Sequence, residues 1–213
     1  FAKMEKGSPL SYTPTVAVKH VAPDFEATAY QDYEFKKVKL SDYRGKYVLL
    51  VFWPMDFSFV CPTEIIAFSE AAKIFREHNT EVLGISCDSH FTHMEFAMKP
   101  KKKGGLGDID IPLLSDKSHN ISKAFGCYID HGDYEGCAFR ATYIMDKEGI
   151  VRHSAINDTQ VGRSPDEFIR LVQAFQYSDE KGEVCPAKWT PGSLSYAPKL
   201  GGESHKKFLD NYE

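Results

Sequence analysis

An α/β fold, with a central mixed β-sheet flanked by helices and an extended C-terminal arm, is predicted by three observations. Residues 47–53 form an unbroken apolar run rich in β-formers. Strand-like and helix-like segments alternate from there through residue 86, and a hairpin followed by a helical pattern occupies residues 140–176. Beyond Tyr177 the periodicity dissolves among Pro186, Pro191, Pro198, Gly182, Gly192, Gly201 and Gly202.

Residues 1–15 carry Gly, Ser and Pro without periodicity, so a flexible N-terminal arm is expected there, one folded domain over 16–176 and a C-terminal arm over 177–213. Phe35 to Leu40 alternates apolar and charged residues like a half-exposed strand, before the turn-like residues 42–46. The run 47–53 suits a strand buried on both faces, and Pro54 ends it. A helix follows from Cys61 to about His78, with Pro62 in its first turn and Phe68, Ala72 and Phe75 at helical spacing. Residues 81–86 read as a second central strand, 91–98 as a short helix stopped before Pro100, and 118–125 as another helix. Asp146-Lys147-Glu148-Gly149 is a turn between strands at 140–145 and 150–155. Ser164 and Pro165 then start a helix whose apolar face is Phe168, Leu171, Val172 and Phe175.

The 213 residues carry a formal net charge of −4, which offers nothing to a nucleic acid. The basic cluster Lys99, Lys101, Lys102 and Lys103 runs into Gly104-Gly105 and suits a solvated loop. No apolar run is long enough to span a membrane. The chain opens on Phe1 and residues 1–15 lack the layout of a signal peptide, so the start is expected to have been trimmed and any targeting segment to be invisible. Five scattered cysteines, Cys61, Cys87, Cys127, Cys137 and Cys185, do not make a secreted disulfide framework, and no Cys-x-x-Cys pair points to zinc or a dithiol motif. A reducing compartment is expected.

Cys61 is the residue with most chemical promise. It stands where an apolar strand has ended and a helix begins, facing unpaired backbone N–H groups and the positive end of the helix dipole. Both favour the thiolate, the reactive form of a cysteine. A thiol in the arm, Cys185, lies close to Trp189, which needs something to pack on; a partner subunit is the expected surface.

Pro54-x-x-x-Ser58-x-x-Cys61, Gly104-Gly105-Leu106-Gly107, Val161-Gly162-Arg163-Ser164 and Val184-Cys185-Pro186-Ala187-x-Trp189 occur in that order. Over roughly residues 16–195 this pattern resembles the peroxiredoxins, specifically their typical two-cysteine group. The resemblance implies a thioredoxin-like fold and a thiol peroxidase that reduces hydrogen peroxide and organic hydroperoxides without metal or cofactor. It implies that Cys61 is the peroxidatic and Cys185 the resolving cysteine, joined between subunits as a disulfide that thioredoxin or a similar dithiol protein reduces. By the same resemblance Ser58 would hydrogen-bond the thiolate and the peroxide, Pro54 would shield the site from water, and Arg140 would lend its guanidinium to the sulfur. Glu64 and Arg163 would form the supporting ion network. A homodimer, assembled further into a decameric ring, is implied, with the helix around Cys61 unwinding so that the sulfurs meet. The mitochondrial matrix or the cytoplasm is the implied compartment, with residues 15–23 and 89–91 leaning toward mitochondrial members.

Trp53, Met55 and Phe96 depart from the group's usual residues, and the stretch 127–137 is the least similar. Cys127 and Cys137 there could form a redox pair, although bystander thiols are the better reading; a metal site with His131 lacks ligand spacing, and Cys87 reads as a core residue. Sensitive members carry a Tyr-Phe pair in a final helix that, with the Gly-Gly-Leu-Gly turn, slows disulfide formation. Here the turn is present but the tail reads His205-Lys206-Lys207-Phe208-Leu209, keeping Phe208 while the Tyr is lost or displaced to Tyr212. Resistance to over-oxidation is therefore expected. Two other functions remain open: a redox-switched oligomeric holdase chaperone, and a cysteine hydrolase using His90, His93 or His153 as base.

Overall fold

A computed structural model describes residues 16–211, so the arm expected over residues 1–15, and Tyr212, lie outside the described residues. The sheet opens with β1 (Glu26–Gln31) paired antiparallel to β2 (Glu34–Lys39). Sequence reading finds β2 and misses β1. Their turn is Asp32-Tyr33, with φ of +52° and +63°, the geometry of a two-residue hairpin that usually advertises itself as Asn-Gly. A tyrosine in that place hides the hairpin.

β3 (Tyr47–Phe52) is buried along its whole length. Its side chains alternate between two apolar clusters, Leu49 and Val51 on one face of the sheet and Val48, Leu50 and Phe52 on the other. α1 (Cys61–Glu77) buries Ile65, Phe68, Ala72 and Phe75, the face its spacing predicts, and leads to β4 (Thr80–Ser86), parallel to β3. α2 (His90–Met98) is capped by the Ser89 hydroxyl, which accepts from Thr92 N–H at 3.1 Å.

β5 (Leu113–Ser115) is too short to give a period and was not expected; it joins β4 in parallel and β1 antiparallel. α3 (Asn120–Ala124) is shorter than expected because His119 has φ +60° and the cap is Asp116, whose carboxylate accepts from Ile121 and Ser122 N–H at 3.0 and 2.7 Å. β6 (Arg140–Met145) and β7 (Val151–Asn157) form the expected hairpin, with Asp146 Oδ1 accepting from Ile150 N–H at 2.9 Å across the turn. The sheet order is β2-β1-β5-β4-β3-β6-β7, a mixed sheet as predicted.

α4 (Pro165–Lys181) lies on the α1 side, with Phe168 and Val172 in the same cluster as Ile65 and Phe68. It runs through Tyr177, so the fading of periodicity there does not mark its end; Gly182 at φ +67° does. The arm after it is not wholly extended: Val184 bridges to Tyr196, and a last helix, α5 (Glu203–Asp210), follows. Trp189 does not wait for a partner, since it is buried against Tyr177 of its own chain, ring centroids 5.0 Å apart. Among the described residues no helix is long and apolar enough to cross a membrane.

The β1–β2 turn provides a test of the fold. Tyr33 is 71 % exposed and left-handed, so Tyr33→Gly removes backbone strain while sacrificing little packing. A relief of about 1 kcal/mol is expected, raising Tm by about 2–4 °C in thermal unfolding. An unchanged or lower Tm would refute the strained turn.

Candidate active site

Residues 53–60 link β3 to α1 beyond the carboxyl end of two parallel strands, the place where open α/β sheets assemble their sites. Cys61 is the first residue of α1, followed by Pro62 in the first turn, and is fully buried. The sequence predicts the helix start and the proline in its first turn, but not the burial.

Three charged side chains converge on it, all buried. Arg140, at the start of β6, points Nη1 at Cys61 Sγ, 3.3 Å away, and at Glu64 Oε2, 2.5 Å away. Its Nε donates to Thr159 O at 2.7 Å, which fixes the plane of the guanidinium. Glu64, one turn along α1 from the thiol, is shared: its Oε1 accepts from Arg163 N and Nε, both at 2.8 Å, and its Oε2 accepts from Arg163 Nη2 at 3.2 Å. Arg163 spends its remaining N–H groups on Ala141 O, Thr142 Oγ1 and Phe52 O, at 2.7, 3.0 and 2.8 Å. Two guanidinium groups against one carboxylate leave one positive charge in excess, which negative charge on the sulfur would cancel. These bonds of Arg140 use Nε and Nη1, and none of them uses Nη2.

The other predicted residues are distributed around this cluster. Pro54 is buried two residues beyond the end of β3. Ser58 is half-buried, and its hydroxyl donates to Met55 O at 2.8 Å rather than to the sulfur. Gly104 to Gly107 fold against the end of α2: Leu106 is buried, its N–H donates to Phe96 O at 2.9 Å, and a Cβ on Gly105 would meet Lys99 O at 2.1 Å. Cys185 is half-buried beside its own α4, its thiol donating to Ala174 O at 3.5 Å, and burial holds that thiol above its ordinary range. Phe208 packs on Tyr196 of the arm, ring centroids 4.7 Å apart.

The remaining thiols, Cys87, Cys127 and Cys137, are free. Cys87 is half-buried rather than fully in the core; burial pushes its thiol up to about 12, and the same cause raises Cys127 and Cys137. Cys127 and Cys137 flank the Tyr128–Ala138 bridge, while His131 turns to Asp130 at an exposed tip. Among the described residues no group of three or more His, Cys, Asp or Glu side chains is placed to hold a metal ion. The hydrolase reading does not suit the geometry: the group bonded to Cys61 is a guanidinium, which cannot take a proton. His93 is committed to Asp56 and Leu114 O, and burial holds His153 below the usual imidazole range.

Sequence reasoning assigned no part to Thr159 or Gly162. Thr159 acts through its carbonyl, for which no side-chain signal exists. Gly162 makes room: a Cβ there would come within 3.1 Å of Val60 Cγ1 and 3.5 Å of Glu64 Cγ. It lies in the Val161-Gly162-Arg163-Ser164 stretch, where residue identity alone gives no sign of this role.

Comparison with known proteins places this arrangement. Residues 18–154 match the AhpC/TSA family, and residues 174–196 match the C-terminal domain of 1-Cys peroxiredoxin. Peroxiredoxin-2 of Bos taurus is 55 % identical over 179 residues, covering 84 % of this chain and 88 % of that protein. The reduced 2-Cys peroxiredoxin of Plasmodium vivax superposes with a TM-score of 0.84 at 42 % identity, covering 91 % of this chain and 98 % of the other. The mitochondrial 2-Cys peroxiredoxin of Plasmodium falciparum does so at 0.74 and 39 %, covering 80 % and 100 %.

The charge cluster and the buried thiols lead to two expected outcomes. Glu64→Ala leaves two buried guanidinium groups without their carboxylate and should cost about 3–5 kcal/mol in urea unfolding; a loss under about 1 kcal/mol would show the cluster to be dispensable. Cys87 and Cys127 hold their protons more tightly folded than unfolded, so the stability they contribute is full below about pH 9 and lost as pH rises toward the folded values. The urea midpoint should fall from pH 8 to pH 10.5, and Cys87→Ala should flatten that fall; an identical slope in the variant would contradict the assignment.

Proposed function

Because the chain belongs to the AhpC/TSA family, and within it to the two-cysteine peroxiredoxins, we propose that Cys61 is the peroxidatic cysteine of this thiol peroxidase and Cys185 its resolving cysteine. The observation that carries the reading is the Arg140 guanidinium 3.3 Å from a fully buried sulfur. A hydroperoxide has no charge to steer it, so rate must come from a stabilised thiolate and from donors that polarise the O–O bond. Arginine suits both tasks, being always protonated with N–H groups in a fixed fork. Nη1 holds the sulfur and Glu64, and Nη2, used by neither of these bonds, is available to the oxygen that departs.

The sulfur attacks one peroxide oxygen, the S–O bond forms as O–O breaks, and the departing oxygen leaves as water or alcohol after taking a proton. Cys61 is thereby oxidised by two electrons to a sulfenic acid. Ser58 already donates to Met55 O, so it would meet the peroxide as an acceptor of the O–H proton rather than as a donor. Pro54 closes the wall behind the sulfur against water, and Glu64 with Arg163 keeps Arg140 in place. The Cys185 thiol then condenses with the sulfenic acid, forming the disulfide and releasing water, and a thioredoxin-like dithiol protein reduces it by exchange.

Within one chain Cys185 is occupied with its own α4, which supports resolution by a second copy. We place the protein in a homodimer, with a decameric ring as its larger assembly, and in the mitochondrial matrix or the cytoplasm; similarity to a mitochondrial relative supports the first compartment. The site offers no support for the holdase as an alternative. Phe208 engaged with Tyr196 supports a tail that leaves disulfide formation quick, hence resistance to over-oxidation.

Peroxide-dependent consumption of thioredoxin reducing equivalents should vanish in Cys61→Ser, while Cys185→Ser should stop after one turnover with Cys61 sulfenic or over-oxidised and no disulfide between subunits. Activity persisting in Cys61→Ser would overturn the assignment. In wild type under turnover, intact mass should show little sulfinic Cys61 at low micromolar peroxide; its accumulation there would refute the resistance of this tail.

A further inference from the structure

The loop between β3 and α1 is held unevenly. Asp56 is 4 % exposed and fastened on three sides: its N–H donates to Asp88 Oδ2 at 3.0 Å, its Oδ1 accepts from Trp53 Nε1 at 2.9 Å, and its Oδ2 lies 2.7 Å from His93 Nδ1. His93, on α2, is wholly buried, with Nε2 3.1 Å from Leu114 O. A carbonyl only accepts, so Nε2 carries a proton, and one further proton is held between Nδ1 and Oδ2. This pair ties the loop to α2 and to β5 at once.

From the next residue on, the hold is slight. Phe57 has φ +56°, a left-handed conformation that strains a bulky side chain. Its ring keeps it there, 4.5 Å from the Phe96 ring and with the Lys99 ammonium 5.2 Å from its own centroid. Ser58 bonds only within the loop, and Phe59 is 96 % exposed. Opening the segment therefore relaxes a strained φ and loses the Phe96 ring contact and the Lys99 ammonium contact, whereas opening past Asp56 breaks a buried network.

We propose that the Asp56–His93 pair is the fixed end of this loop and the Phe57 ring its releasable latch. The two are positioning residues that set how often Cys61 leaves its pocket toward a second thiol before another peroxide arrives. The inference rests on the peroxidase cycle above.

Hydrogen exchange of the reduced full-length protein, with mass analysis of Cys61 during turnover, tests it. In Phe57→Ala, amides over residues 57–63 should exchange about three- to tenfold faster, with β3 and β4 unchanged, and the peroxide dose that makes half of Cys61 sulfinic should rise by a similar factor. Asp56→Asn still accepts from Trp53 and can donate an amide N–H to neutral His93, so it should match wild type within about twofold. Asp56→Ala should carry fast exchange back to Trp53. Phe57→Ala with unchanged exchange and dose overturns the latch, and Asp56→Ala with exchange confined to residues 57–63 overturns the fixed end. Should Asp56→Ala not fold, Asp56→Asn decides, since exchange spreading back to Trp53 in that isostere also overturns the account. A wild type that forms no disulfide with peroxide sinks the peroxidase reading, while the exchange comparison still judges the loop.

Discussion

The Glu64 carboxylate, shared between two buried arginines, is the interaction on which the site depends. It joins three stretches of chain that are remote in sequence: the first turn of α1, the start of β6 and the segment entering α4. A buried guanidinium is tolerable only when its N–H groups find acceptors. Arg163 meets that demand completely, with Glu64, Ala141 O, Thr142 Oγ1 and Phe52 O taking all its side-chain donors. Arg140 bonds through Nε and Nη1 only, and Nη2 is the atom proposed above to meet the peroxide. One arginine is committed to structure so that the other can be held ready.

The sheet supplies the rigidity that this requires. β3 and β6 are adjacent and antiparallel, so the end of β3 leading to Cys61 and the start of β6 bearing Arg140 fall side by side. Against that fixed wall the loop ahead of Cys61 is loosely held, with a strained Phe57 and an exposed Phe59. Such a division suits the role proposed for Cys61, precise toward peroxide yet able to leave. Binding residues on a stiff scaffold and a nucleophile on a releasable segment are compatible demands because different elements meet them.

Much of this was legible beforehand. β3 announces itself because a strand buried on both faces needs apolar residues at every position, and α1 because its buried face repeats with the helical period. The placement of Cys61 at a helix start follows from Pro54 and Pro62 alone, whereas the meeting with Arg140 comes from the family pattern, because no local rule joins residues so far apart. What stayed hidden has physical reasons. β5 is too short to show a period, and the β1–β2 turn uses Asp-Tyr where glycine is usual. Trp189 was expected on a partner and instead lies on Tyr177, since helix α4 extends one turn further than its apolar pattern. Thr159 contributes a carbonyl and Gly162 an absence of side chain, neither of which residue identity reveals.

The central claim is that the Arg140 guanidinium, rather than burial or the helix start alone, makes Cys61 fast. The second-order rate constant of Cys61 with hydrogen peroxide, followed by stopped flow in wild type and Arg140→Lys, tests it most directly. Lysine keeps the charge but not the fork that reaches the sulfur and Glu64 together, and loss of such a donor is worth about 10²–10³ in rate. The account therefore expects a fall of about that size in a variant whose folding is intact by circular dichroism. A rate constant within about threefold of wild type would contradict it, since 3-fold is less than 1 kcal/mol of barrier.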